Sequence, residues 1–205
     1  IRNMSLKAVN NYCTFSLIRP DEHNDESLIS IPEHALPTPR WGKVESTGPG
    51  FPDAYGNLRA LDVEVGDLIY ISAHGQYAVH QAVGQNVNLS AASILDVLAI
   101  LKDMNTRQIQ PLGNLIQIEK IEIYNDSDVI SIPDQRKSPT NLGRVVSVGK
   151  GWTSVNGDIV PPQVKVGDKI VYSPLRTMVV DFASLGVEEK TYLIQHGDII
   201  AVLED

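Results

Sequence analysis

Apolar residues along this chain recur in short alternating bursts broken by turn residues, a pattern of many short β-strands rather than of helices. Ile116, Ile118, Ile121 and Ile123 alternate with one slip, which a β-bulge can absorb. Gly143-Arg144-Val145-Val146-Ser147-Val148-Gly149 predicts a short strand held between glycines. Gly66-Asp67 and Gly167-Asp168 stand just before the apolar runs 68–71 and 170–172, so each predicts a positive-φ turn into a strand. Asn57 and Asn156-Gly157 are candidate hairpin turns.

The same blocks occur twice. Leu28-Ile29-Ser30-Ile31-Pro32-Glu33 matches Val129-Ile130-Ser131-Ile132-Pro133-Asp134 at a spacing of 101 residues. Gly42-Lys43-Val44 matches Gly143-Arg144-Val145, and Val63-Glu64-Val65-Gly66-Asp67 matches Val164-Lys165-Val166-Gly167-Asp168. After a one-residue insertion, Asp96-Val97-Leu98-Ala99-Ile100-Leu101 matches Asp198-Ile199-Ile200-Ala201-Val202-Leu203. Ordered blocks at a near-constant offset predict two copies of one domain. The expected boundaries are 1–106, with 1–9 as a tail, and 107–205, because polar residues and Pro111 interrupt the apolar pattern near 105–111. The repeat also settles an ambiguous stretch. Residues 90–100, rich in Ala and Leu, fit a helix when taken alone. Their partner at 192–202 contains His196-Gly197-Asp198 and a β-branched run, so turn followed by strand is expected in both copies. The predicted class is all-β, with two small barrels in tandem.

Arranged this way, the residues resemble the GroES-type co-chaperonin family, as a tandem, diverged member. The second copy is similar to a family subunit over nearly its whole length. Pro111-Leu112-Gly113-Asn114-Leu115-Ile116 resembles the opening strand, residues 128–133 the mobile loop, and 142–151 the strand leading to the roof hairpin. Residues 164–172, with the valine-glycine-aspartate turn, resemble the most specific block, and 197–202 the closing strand. The first copy shows these blocks more loosely.

The resemblance implies two irregular β-barrels, each with a mobile loop on one side and a roof β-hairpin on the other. It implies a homo-oligomeric ring in which the first strand of one subunit pairs with the last strand of its neighbour. The expected edge strands carry Phe15 and Leu17, Leu98 and Ile100, Ile116 and Ile118, and Ile200 and Val202. It further implies that a GroEL-type chaperonin, which supplies the ATPase, is capped through Leu28, Ile29, Ser30, Ile31 and Pro32 and through Val129, Ile130, Ser131, Ile132 and Pro133. Unfolded proteins would be indirect clients. With two copies per chain, two stacked rings and a single ring both remain open. Judged by alternation alone, each Ile-Ser-Ile segment also fits a half-buried strand. Family loops usually have an apolar residue at the triplet's centre. Here Ser30 and Ser131 bring a hydroxyl, which costs binding unless it stays solvated.

Composition narrows the rest. A formal charge of −8 over 205 residues argues against nucleic acid. No apolar run approaches the roughly 20 residues of a membrane span, and residues 1–7 lack the charged start and apolar block of a secretory signal. A cytoplasmic setting is expected, with an organelle or a virion as alternatives. The lone Cys13 is expected to be a small buried hydrophobe. His23, His34, His74, His80 and His196 have no metal-ligand spacing. Residues 143–150 lack the Ser or Thr of a P-loop. Trp41, Phe51, Tyr55 and Trp152 are expected to pack in the core or between subunits. No catalytic residue, metal or cofactor is expected. The rival reading is a structural or particle-decorating protein, including a capsid component, that keeps the barrel without a chaperonin cycle.

Overall fold

The computed structural model describes residues 6–18, 40–72, 75, 77–78, 89–121 and 141–204. In chain order the first repeat contributes β1 (Tyr12–Leu17), β2 (Trp41–Thr47), β3 (Phe51–Pro52), β4 (Leu58–Arg59), β5 (Leu68–Ile71), β6 (Tyr77–Ala78), β7 (Leu89–Ser93) and β8 (Val97–Asp103). The second contributes β9 (Gln108–Pro111), β10 (Leu115–Lys120), β11 (Leu142–Val148), β12 (Trp152–Thr153), β13 (Ile159–Val160), β14 (Lys169–Tyr172), β15 (Met178–Asp181), β16 (Lys190–Gln195) and β17 (Ile199–Leu203). Among the described residues the only helical elements are short 3-10 turns, so the architecture is all-β, with the two repeats each built around its own sheet.

One sheet runs β6-β7-β1-β2-β5-β8-β9 and the other β15-β16-β10-β11-β14-β17. The two are built alike. Phe15 faces Val44 across β1–β2 as Ile118 faces Val145 across β10–β11, each just after a bulge. Trp41 faces Tyr70 as Leu142 faces Val171. Alternation explains the strands: in β2, Gly42 and Val44 face the first core while Lys43 and Glu45 point out, and Trp41, on the outer face, is buried only because the second repeat covers it. The stretch 90–100 is strand, 3-10 turn and strand, capped where Ser93 Oγ accepts from Leu95 N (3.3 Å).

The valine-glycine-aspartate block has a local cause. Gly66 and Gly167 both sit at φ 96°, the left-handed region that favours glycine. The next aspartate folds back, so that Asp67 Oδ2 accepts from Glu64 N (2.8 Å) and Asp168 Oδ2 from Lys165 N (2.9 Å). The turn also pins the neighbouring strand: Val44 N donates to Asp67 O and Val145 N to Asp168 O, both 2.9 Å.

Two small hairpins, β3–β4 and β12–β13, form the roofs, with Asn57 and Asn156-Gly157 in or beside their turns as predicted. Asp53 Oδ1 accepts from Tyr55 N and Asn57 N (both 2.9 Å) to shape the first. The second enters through Gly151, at φ 110°, whose absent Cβ would run into the Val160 carbonyl. Gly151→Ala is therefore expected to cost about 1–3 kcal/mol of backbone strain and to loosen β12–β13. Thermal unfolding monitored by circular dichroism checks the stability loss, and a shift in Trp152 fluorescence checks the hairpin.

Each repeat has its own core: Cys13, Phe15, Val44, Ile69, Ile71 and Ile100 in the first, and Ile116, Ile118, Val145, Ile170, Tyr172 and Ile194 in the second. A third cluster lies between them. It joins Trp41, Tyr70, Ala99 and Leu101 of the first repeat to Ile109, Val180, Phe182 and Leu193 of the second.

Six expected edge residues need correction. Phe15 and Leu17 lie in β1, which is paired on both sides by β7 and β2. Ile116 and Ile118 lie in β10, paired by β16 and β11. Their backbone donors and acceptors are engaged within the barrel, so neither strand is an edge. The segment that reaches out is instead β9, which precedes the strand expected to do so. Leu98 and Ile100 lie in β8, whose outer side is taken by β9 of the same chain. Ile200 and Val202 do lie on a terminal strand, β17.

Candidate functional site: loop anchors and the barrel edges

Leu28, Ile29, Ser30, Ile31 and Pro32, and Val129, Ile130, Ser131, Ile132 and Pro133, fall outside the described residues. What is described is where their segments leave and rejoin each barrel. In the first repeat the chain leaves β1 at Ile18, whose N–H donates to Trp41 O (2.9 Å) at the start of β2. In the second, Ile121 N donates to Leu142 O (3.0 Å) at the start of β11. The same hydrogen bond thus closes the base of both connections. Each connection joins adjacent antiparallel strands through far more chain than the about 2–5 residues of an ordinary hairpin.

Position follows from strand direction. β2 and β11 start at a loop base and end at a roof hairpin. Seven residues of strand at about 3.3 Å each separate the two features by roughly 20 Å. The bases of these connections and the roofs therefore occupy opposite ends of each barrel.

The junction between repeats is well bonded. β8 and β9 pair through Ala99–Pro111, Ile100–Gln110 and Leu101–Ile109. Trp41 is fully buried there; its Nε1–H donates to Asp181 O (2.7 Å) and its ring stacks on Phe182 at 5.5 Å. Tyr70 donates its hydroxyl to Val179 O (3.2 Å), and burial pushes its pKa upward, which keeps that donor protonated. Lys150 beside the second roof pairs with Asp62 of the first repeat. Asp103 shapes the connecting turn: Oδ1 accepts from Asn105 N (2.8 Å) and Oδ2 from the Thr106 hydroxyl (2.8 Å). Arg107 then pairs with Glu189 (2.6 Å).

Of the aromatic residues singled out, Trp41 packs at this junction, whereas Phe51, Tyr55 and Trp152 are exposed on the roofs of the single chain. His196 Nε2 accepts from Gln163 N (3.1 Å); the other four histidines lie outside the described residues. No group of three or more potential metal ligands occurs among the described residues. No helix among them is long and apolar enough to cross a membrane.

Cys13 is buried in the first core, with Sγ–H donating to Ala92 O (3.7 Å). Burial pushes its pKa up from 9.0 to about 11, and the hydrogen bond to Ala92 pulls weakly the other way. The thiol is thus expected to resist alkylation in the native protein at neutral pH and to react once the chain is unfolded, which a maleimide time course checks. Because the folded pKa is raised, the associated stability is complete below about 9 and is lost as pH rises towards about 11.

Sequence comparison fits this duplicated architecture. The family model of the chaperonin 10 Kd subunit matches twice, over residues 8–101 and 108–203. The Co-chaperonin GroES of Geobacillus stearothermophilus is 38% identical over 97 residues, 46% of this chain and 98% of the relative. Co-chaperonin GroES of Natranaerobius thermophilus is 38% identical over 98 residues, covering 47% and 98%. That of Staphylococcus haemolyticus is 37% identical over 101 residues, covering 47% and 99%. Each whole relative thus corresponds to about half of this chain. The chain belongs to the chaperonin 10 Kd subunit family, a co-chaperonin family rather than an enzyme family, and carries the family's domain twice.

Proposed function

We propose that this protein is a co-chaperonin that assembles head to tail into a ring and caps a GroEL-type chaperonin through the segments around Ile29–Ile31 and Ile130–Ile132. The observation that carries this reading is the completeness of both repeats: each closes a long connection with the same hydrogen bond at the end opposite its roof.

The energetics suit a lid that comes off. Burying one isoleucine is worth about 1.5–3 kcal/mol, and ordering a loop on binding costs about 2–5 kcal/mol. One loop alone therefore binds weakly. Several loops on one ring bind firmly, because each later contact forms at high effective concentration. The chain does no covalent chemistry in this scheme, and nucleotide hydrolysis belongs to the chaperonin. The β8–β9 pairing joins the barrels edge to edge, which supports placing both repeats in one ring layer rather than in two stacked ones.

The test is protection of an enclosed client. With chaperonin, ATP and this protein, a chaperonin-bound unfolded protein is expected to become resistant to added protease. Should the client be digested as fast as without this protein, capping is wrong. Intact assembly together with that failure would favour the particle-scaffold role.

A further inference from the structure

Both ends of the first long connection stand on the second repeat. The chain leaves β1 at Ile18 and returns through Arg40 to Trp41. Ile18 packs, partly buried, on the cluster that Trp41 and Tyr70 share with Val180, Phe182 and Leu193. Its N–H donates to Trp41 O, and Ile71 N donates to Arg40 O, both 2.9 Å. Two amides thus fasten the base, one from the side of β1 and one from the side of β5.

The second repeat offers this base a strand edge. β15 is the outer strand of its sheet, with β16 on one side. Val179 and Asp181 are two residues apart, so their carbonyls point the same way. Side chains of the first repeat take both: Val179 O accepts from the Tyr70 hydroxyl (3.2 Å), and Asp181 O accepts from Trp41 Nε1–H (2.7 Å). Donors on two aromatic rings therefore cover the edge in place of a strand. The Asp181 carboxylate offers the same hydroxyl a longer acceptor, Oδ2 at 3.5 Å. The Arg40 guanidinium donates to the phenol oxygen, which leaves the phenol's own proton directed at β15. Opposite charges from the two repeats flank one phenol, beside the residue where the connection ends.

The second repeat holds Asn141, Leu142 and Val171 at the positions of Arg40, Trp41 and Tyr70. Its base keeps the backbone bonds, Ile121 N to Leu142 O (3.0 Å) and Tyr172 N to Asn141 O (2.9 Å). It has no indole and no phenol at these positions. Resting on the capping reading above, we propose that Tyr70 and Arg40 are positioning residues, through which β15 of the second repeat holds the base of the first connection and fixes how the segment around Ile29–Ile31 meets a chaperonin. A base held in advance has less freedom to lose on docking. A change at β15 therefore reaches the first grip and not the second.

Amide hydrogen exchange of the whole chain tests the clamp without a chaperonin. Tyr70→Phe removes only the hydroxyl, and Arg40→Met removes the guanidinium at a partly exposed position. Each is expected to speed exchange at Ile18 and Ile71 about fivefold or more, the effect of one lost hydrogen bond on local opening. The matching amides of Ile121 and Tyr172 are expected to stay at wild-type rates. Unchanged exchange at Ile18 and Ile71 overturns the clamp. An equal rise at all four amides does so too, because it marks a general loss of stability. Co-sedimentation then reads the grip. In an Ile130→Asp chain, which holds a chaperonin through the first connection alone, Tyr70→Phe is expected to weaken capture about fivefold. In an Ile29→Asp chain it is expected to change nothing. Capture that falls alike in both chains, or in neither, overturns the positioning role. Selective exchange in a protein that no chaperonin captures in any form rejects capping, and the positioning role with it, while the clamp stands.

Discussion

Replacing Ile29 and Ile130 together by aspartate is expected to abolish nucleotide-dependent capture by a chaperonin while leaving assembly intact. Each substitution removes an isoleucine worth about 1.5–3 kcal/mol on burial and puts a carboxylate into the proposed apolar contact with the chaperonin, where burying it unpaired costs several kcal/mol more. One loop in the wild type has little surplus once its ordering is subtracted, so either term alone ends its binding. The multivalent gain then has nothing to multiply. Assembly is expected to be untouched because neither residue belongs to β8, β9 or β17. Co-sedimentation with the chaperonin, with and without ATP, reads the outcome. Wild-type levels of capture by the double variant would show that these isoleucines do not make the grip.

The second large effect is expected at the junction. Trp41→Ala removes a fully buried indole, and changes of that size cost about 3–5 kcal/mol. It also leaves the Asp181 carbonyl without its donor. For a chain of this length each kcal/mol moves the melting temperature by about 2–4 °C, so a fall of roughly 10 °C or more is expected. Trp41→Phe keeps an aromatic ring against Phe182 and loses mainly the N–H bond, worth about 1 kcal/mol. Thermal unfolding of the pair separates packing from hydrogen bonding. An alanine variant that melts like the wild type would mean that the barrels do not lean on each other through this residue.

The domain type and its duplication were legible in the chain because their turns have strict local requirements. A glycine at positive φ followed by an aspartate that folds back onto its own turn leaves a spacing that survives divergence. The comparison of 90–100 with 192–202 correctly overruled a helical reading, because two copies of one fold must share one period. The opening strand was misplaced for the opposite reason. Cys13-Thr14-Phe15 and Ile116-Gln117-Ile118 carry no turn motif, and the loops that follow differ in length. The offset read from blocks beyond the loops therefore slipped by two residues. Assigning Phe15 and Ile118 to edges failed because alternation tells which face a residue takes, not which strand lies beside it. Strand neighbours are long-range facts. The role of Trp41 depends on Phe182 and Asp181, far along the chain, and no local pattern announces it.

Electron microscopy of the protein with a chaperonin and nucleotide tests the account most directly. The expected image is one closed layer of paired barrels over the mouth of the ring, with loops down and roofs outward. Two stacked barrel layers, or a chaperonin mouth left bare beside free assemblies, would contradict it.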